Sequence, residues 1–285
     1  MASADLSEER SLLEVMLSRQ IVAVALGLML IVVLIVSLGP VVFPLDPTSM
    51  SVRQRLTPPG EVFWLGSDAF GRDVLSRLIY AGRVSLGIGA GVALASAIVG
   101  ILIGLLAGFY RVLDAPLSRL VDAMMAFPDI LLAISLVAIL GGSVVNVVVA
   151  LAIVYTPRIA RIVRASTLVV RELPYVEAAR AVGSSVPYIL SRHVLLNILS
   201  PIIVQATFIF AYAMLAEAGL SFLGVGVDPS TPTWGTMINE GRQYIDQSPS
   251  LILIPGLAIS FCVLSLQLVG DGLRDALDPR IARQM

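Results

Sequence analysis

The chain has 285 residues, 57% of them hydrophobic and 14% charged, with a mean hydropathy of +0.92. Such a composition excludes a soluble globular domain, because most helical surface must face lipid or other helices. The 19 basic and 20 acidic residues nearly cancel, which leaves no electrostatic case for a nucleic-acid partner.

A membrane span needs about 20 apolar residues. Residues 1–20 form a polar leader, and residues 21–42 supply a first anchor whose apolar run ends at Gly39-Pro40. The leader carries Glu8, Glu9 and Glu14 and no clear small-residue cleavage site, so the segment reads as a retained anchor rather than a signal peptide. Residues 43–85 form a loop with an amphipathic helix, in which Asp73 and Arg77 lie four apart and Ser67 or Asp68 suits a helix cap. Five further spans fall within residues 86–270, at 86–109, 120–140 (bent near Pro128), 144–162, 198–223 and 251–269. Residues 271–285 form the tail.

In the second span Gly87 and Gly91, then Gly100, Gly104 and Gly108, repeat at four-residue spacing. Glycines so placed let helix backbones approach closely in lipid, within one subunit or between two. Six spans put both termini on one side. Arginines favour an inner N-terminus by roughly two to one, which places both termini and residues 172–197 in the cytoplasm.

Residues 172–197 form a polar island between two apolar spans. Pro174 can open a short helix and Gly183 can close it in a left-handed conformation. Ser184 or Ser185 can then cap a second helix, with Pro187 in its first turn. Ala178, Ala179, Ala181 and Gly183 leave this knuckle nearly bare, so another protein's backbone can come close.

Two polar residues lie at membrane depth, Glu217 in the fifth span and Gln267 in the sixth. Each reads either as a pathway residue or as a helix-packing hydrogen bond. Asp122, Asp129 and Asp271 fall at inner span ends and read as interfacial. Every basic residue is arginine; without lysine there is no P-loop and no Schiff-base chemistry, so ATP-driven work would need an ATPase on another chain. The single cysteine, Cys262, lies in an apolar segment, and the single histidine, His193, on a basic helix. No zinc spacing and no Ser/His/Asp set emerges, so neither a catalytic nor a metal site is expected, and the chain reads as a non-enzyme.

Glu177-Ala-Ala, three residues, then Gly183, nine residues, and a hydrophobic motif around Leu195 resembles the EAA loop of binding-protein-dependent ABC importer permeases. Three blocks are similar to the peptide-importer branch, which also serves glutathione, nickel and opines: residues 65–86, residues 221–235 with Trp234, and residues 270–280. Leu196 stands where that family usually has proline.

The resemblance implies an all-α integral membrane protein of six transmembrane helices with the MetI-like permease fold, in the bacterial cytoplasmic (inner) membrane. It implies a second homologous permease subunit, one or two ATP-binding subunits that hold the ATP, and an extracytoplasmic solute-binding protein. It assigns ATPase coupling to Glu177, Ala178, Ala179, Arg180 and Gly183, with Ala179 and Gly183 as tight contacts and Glu177 and Arg180 as polar ones. Asp68, Arg72, Asp73 and Trp234 are the candidates for docking the delivering protein, or plain scaffolding. The expected function is alternating access for di- or oligopeptides. An ion-coupled secondary transporter, with Glu217 carrying the coupling charge, is the rival of another class.

Overall fold

The computed structural model describes Met16, residues 19–42 and residues 46–277. Glu8, Glu9, Glu14, Arg10, Arg280 and Arg283 lie outside those residues. The described chain is helical: α1 (Gln20–Val42), α2 (Val74–Phe109), α3 (Arg111–Met125), α4 (Asp129–Leu140), α5 (Val144–Val170), α6 (Pro174–Ala181), α7 (Val186–Tyr188), α8 (Leu199–Phe222), α9 (Trp234–Gly241) and α10 (Ser250–Leu277). Five helices are long and apolar enough to cross a membrane, six if a bent pair counts as one span. One end of the bundle carries α6 and α7; the other carries the loops around residues 46–73 and 224–249.

The bent pair is α3 and α4, which meet at 92°. The expected span at 120–140 is therefore not one helix. Pro128 lacks the N–H that would continue α3, and it caps α4 instead. With 12 residues, α4 spans only about 18 Å of a hydrocarbon core of ~30 Å. The expected amphipathic helix of the 43–85 loop is likewise not separate. Its helical part begins at Val74 and runs unbroken into the second span, because Asp73 caps it by accepting from Ser76 N at 2.8 Å. Ser67 and Asp68, the expected caps, lie upstream of it.

α2 and α5 pair most extensively, and the glycines explain how. A Cβ on Gly100, Gly104 or Gly108 would fall 2.5–2.7 Å from side-chain atoms of Ile159, Val163 and Thr167 respectively. The repeat thus packs within the subunit, one turn per glycine. Gly87 has open space and Gly91 only ordinary contact with Val148, so the upper pair plays no such part. Gly104→Val should overpack the crossing by about 1–3 kcal/mol, read as a lower thermal midpoint of the detergent-solubilised chain; Gly87→Val should leave that midpoint in place.

α1 meets α2 at a proline. Pro40 cannot donate to the Val36 carbonyl, and the Arg83 guanidinium does so instead, Nε at 2.8 Å, with Nη2 reaching the Ser37 carbonyl at 2.6 Å. The Arg83 guanidinium thereby answers the Val36 carbonyl that Pro40 leaves without its helical donor. Arg83→Leu should loosen α1 by about 1–3 kcal/mol, seen as faster protease cleavage between α1 and α2.

The sixth span also runs further than expected, α10 continuing to Leu277. Gly272 packs on Val22 of α1, and Arg19 pairs with Asp275.

Candidate functional site

α6 opens on Pro174 at its first turn and ends in a glycine-terminated cap. Gly183 has φ +81°, its N–H donates to the Arg180 carbonyl at 3.0 Å, and Ser184 N–H donates to the Ala179 carbonyl at 3.0 Å. These two bonds satisfy carbonyls the last turn leaves free and turn the chain sharply. α7 then starts at Val186 with Pro187 in its first turn. It does not close as a second short helix. A π-turn (Ile189–Val194) and a 3-10 turn (Leu195–Ile198) carry it straight into α8. The change of winding falls at Leu195, just before Leu196, and Pro201 lies in the first turn of α8.

One face of the knuckle belongs to the bundle. Val176, Ala179, Ile189 and Val194 are buried in the main apolar core. Ala179 is 9% exposed, so it packs on its own subunit rather than serving as an outward contact, which corrects the expected role. The i, i+3 spacing of Val176 and Ala179 carries that signal in the sequence. The other face is free: Glu177, Ala178, Arg180, Ala181 and Gly183 are exposed. Val182 is 81% exposed, with Tyr175, Tyr188 and Leu173 also presenting apolar area. His193 lies edge-on to Tyr188, ring centroids 5.5 Å apart, and 6.1 Å from Tyr175. Arg180 lies over the Phe109 ring at 4.8 Å, and Arg171 Nη1 donates to the Gly108 carbonyl at 2.6 Å. Arg180 thus ties the knuckle to the end of α2, and Arg171 ties the end of α5 to the same place.

Above the knuckle stands a ladder the sequence did not reveal. Arg158, Arg161 and Arg164 of α5 pair with Asp129, Asp122 and Asp114 of α4 and α3. Arg161 reaches Asp122 at 2.7 Å, and Arg164 Nη2 reaches Asp114 at 3.0 Å. Three arginines at i, i+3 and i+6 follow one face of a helix. Asp122 and Asp129 are therefore ion-pair partners across helices, not interfacial residues alone.

At the other end Glu217 is 1% exposed. Its Oε1 accepts from Ser221 Oγ and Thr233 Oγ1, both at 2.8 Å. Next to it, Ser85 of α2 accepts from Trp234 N–H at 3.1 Å, and Asn239 donates to the Ser221 carbonyl at 2.8 Å. The buried carboxyl joins α8 to the cap of α9, which Ser85 ties to α2 through Trp234 N–H. Gly224, at φ +81°, turns the chain out of α8 so that Val227 N–H reaches Ser221 Oγ at 3.3 Å. Gln267 sits half-buried on α10, outside this cluster.

The four candidate docking residues lie largely inside the fold. Trp234 is 2% exposed, its Nε1 donating to the Leu78 carbonyl at 3.0 Å. Arg72 and Asp68 are buried and joined at 2.6 Å; Arg72 also reaches Glu240 at 2.6 Å, and Arg77 reaches the same carboxylate at 3.0 Å. Asp73 is occupied as the cap of α2, so it does not pair with Arg77. These residues hold a surface up; they do not form one.

A family model described as the inner membrane component of binding-protein-dependent transport systems matches residues 100–283. A protein of Brucella suis biovar 1, provisionally named a peptide transport system permease protein, is 49% identical over 266 residues, covering 93% of this chain and 90% of that one. The glutathione transport system permease protein of Pectobacterium atrosepticum is 42% identical over 266 residues, covering 92% and 88%. A solved inward-facing structure of the MetNI methionine ABC transporter superposes with a TM-score of 0.58 at 20% identity, covering 71% of this chain and 97% of that one; at that identity the likeness speaks for the fold.

Proposed function

This chain belongs to the family of inner membrane components of binding-protein-dependent transport systems, and from that premise we propose that it imports peptides, with the α6–α7 knuckle as the seat of the ATPase. It is a multi-pass permease subunit of an ABC importer, not an enzyme, and ATP is used by partner ATPase subunits. The observation that carries the coupling reading is the half-free knuckle. Val182 and Gly183 project from a helix whose other face is locked into the core and whose neighbours pin it to α2. A push on the free face would move α2, α5 and α8 together, as in alternating access by rigid-body rocking.

In this reading the knuckle and both termini face the cytoplasm, and the Trp234 loop with residues 46–73 faces outward. The buried charges around Arg72 and the Trp234 side chain shape that outer face for a solute-binding protein, and a second permease subunit completes the pathway. Peptide as cargo draws on the name of the Brucella relative, and glutathione, itself a tripeptide, is the second reading, drawn from the name of the Pectobacterium relative.

The test is uptake into proteoliposomes holding this chain with its partner subunits and binding protein. Labelled trialanine should enter only with ATP, and labelled glutathione should enter slowly. Uptake that survives ATP depletion and collapses with a protonophore would instead establish ion coupling. Glu217→Gln separates the same readings at one atom. The amide keeps an acceptor oxygen for the two hydroxyls of Ser221 and Thr233, so ATP-driven uptake should stay within about twofold, whereas Glu217→Leu strands them for about 2–4 kcal/mol and should lower the amount of folded subunit. A proton-carrying Glu217 predicts that the amide abolishes uptake.

A further inference from the structure

The deepest rung of the arginine ladder differs from the other two. In the orientation proposed above, with Val144 at the outer boundary, Arg158 lies about 21 Å along α5 at 1.5 Å per residue, about 9 Å short of the inner edge of a core of ~30 Å. Its pair with Asp129 is nevertheless uncovered, the side chains being 32% and 42% exposed. A half-exposed ion pair at that depth does not face lipid; it faces water or another protein. Beside it is a cleft of about 260 Å³, lined by Asp129, Ala133, Tyr155, Tyr212 and Ala216 among others. The Arg158 guanidinium lies 5.2 Å from both the Tyr155 and the Tyr212 ring centroids, so both aromatics hold it in place. The Arg161 and Arg164 rungs border a different, smaller cleft, among α2, α3 and α5.

We infer that the Asp129–Arg158 pair and its tyrosine-lined cleft form a transit subsite for the charged termini of the cargo. The inference rests on the peptide reading. A peptide with free ends carries a carboxylate and an ammonium, the complements of Arg158 and Asp129. Its entry exchanges one ion pair for two, with no net charge brought into the membrane. The tyrosines supply apolar walls and hydroxyl groups that tolerate varied side chains. The half-exposed setting keeps the hold weak enough for release, which conduction requires.

The test uses the assembled transporter in proteoliposomes, with Ala216→Cys in a Cys262→Ala background and a charged, membrane-impermeant thiol reagent. Modification of the cysteine at 216 during ATP turnover should proceed, and trialanine in transport should slow it. Arg158→Gln should weaken that protection about tenfold, the loss expected for one charge-assisted hydrogen bond; Arg161→Gln should retain it. Absence of modification would mean that lipid or the partner subunit covers the cleft, and would overturn the subsite. Modification indifferent to trialanine, or protection that persists in Arg158→Gln, would overturn it equally. If the unsubstituted transporter does not move trialanine at all, the peptide reading itself fails and takes the subsite with it; normal uptake with unchanged protection defeats the subsite alone.

Discussion

Gly183→Trp should abolish ATP-driven uptake while the subunit folds and inserts normally, and Gly183→Asn should keep most of that uptake. The reason lies in two facts about one residue. Gly183 has φ +81°, a conformation that disfavours any larger side chain by about 1–2 kcal/mol, asparagine less than others. A Cβ there would meet nothing within 4 Å. Within the chain, then, tryptophan and asparagine differ little beyond backbone strain, and neither collides with the bundle. They differ in the volume each pushes outward beside Val182, at the free tip of the knuckle. If that tip fits a socket on an ATPase, tryptophan should weaken the fit by about 3 kcal/mol or more, over a hundredfold. Co-purification of the ATPase subunits should fall in step with uptake. Full uptake by the tryptophan variant would remove the knuckle from the coupling path; equal failure of both variants would show that only the backbone turn matters.

What the sequence made legible follows the range of each interaction. Helix ends fixed by a neighbouring residue were readable: Pro174 and Gly183 bound α6, and Gly39-Pro40 lies in the last turn of α1. The Gly100, Gly104 and Gly108 stripe was readable as a close crossing, though only the fold supplies its partners Ile159, Val163 and Thr167. Long-range pairing was not readable. Arg158, Arg161 and Arg164 find aspartates 29, 39 and 50 residues away, across a bend whose angle no local pattern encodes. Trp234 illustrates the same limit, since an aromatic in a loop suggests a docking face until Leu78 and Ser85 are seen to receive it. Glu217 could be priced as expensive from its depth alone. Its two hydroxyl partners come from α8 and the loop before α9, and only their convergence decides between pathway and packing.

Glu240→Leu should be the most damaging single change to stability outside the helix crossings. Glu240 accepts from Arg72 at 2.6 Å and from Arg77 at 3.0 Å. With Asp68 it balances two guanidiniums, each buried. Removing it leaves two positive charges facing one carboxylate, with Arg77 only 3.6 Å from Asp68 as its remaining ion pair. Breaking a buried pair from one side costs about 3–5 kcal/mol, because the stranded charge stays desolvated. That is a large share of the stability of an ordinary domain, about 5–15 kcal/mol, so the variant should accumulate poorly and elute as aggregate on gel filtration in detergent. Arg161→Gln supplies the contrast. Its pair with Asp122 is shorter than the Arg77–Asp68 contact, yet both partners are exposed, and such pairs contribute less than about 1 kcal/mol. Glu240→Gln should fall between the two, keeping an acceptor and losing the charge. Equal thermal midpoints for Glu240→Leu and Arg161→Gln would show that the loop-end charges are hydrated in the bilayer. That end of the bundle would then depend on Trp234 and the Glu217 hydroxyl cluster alone.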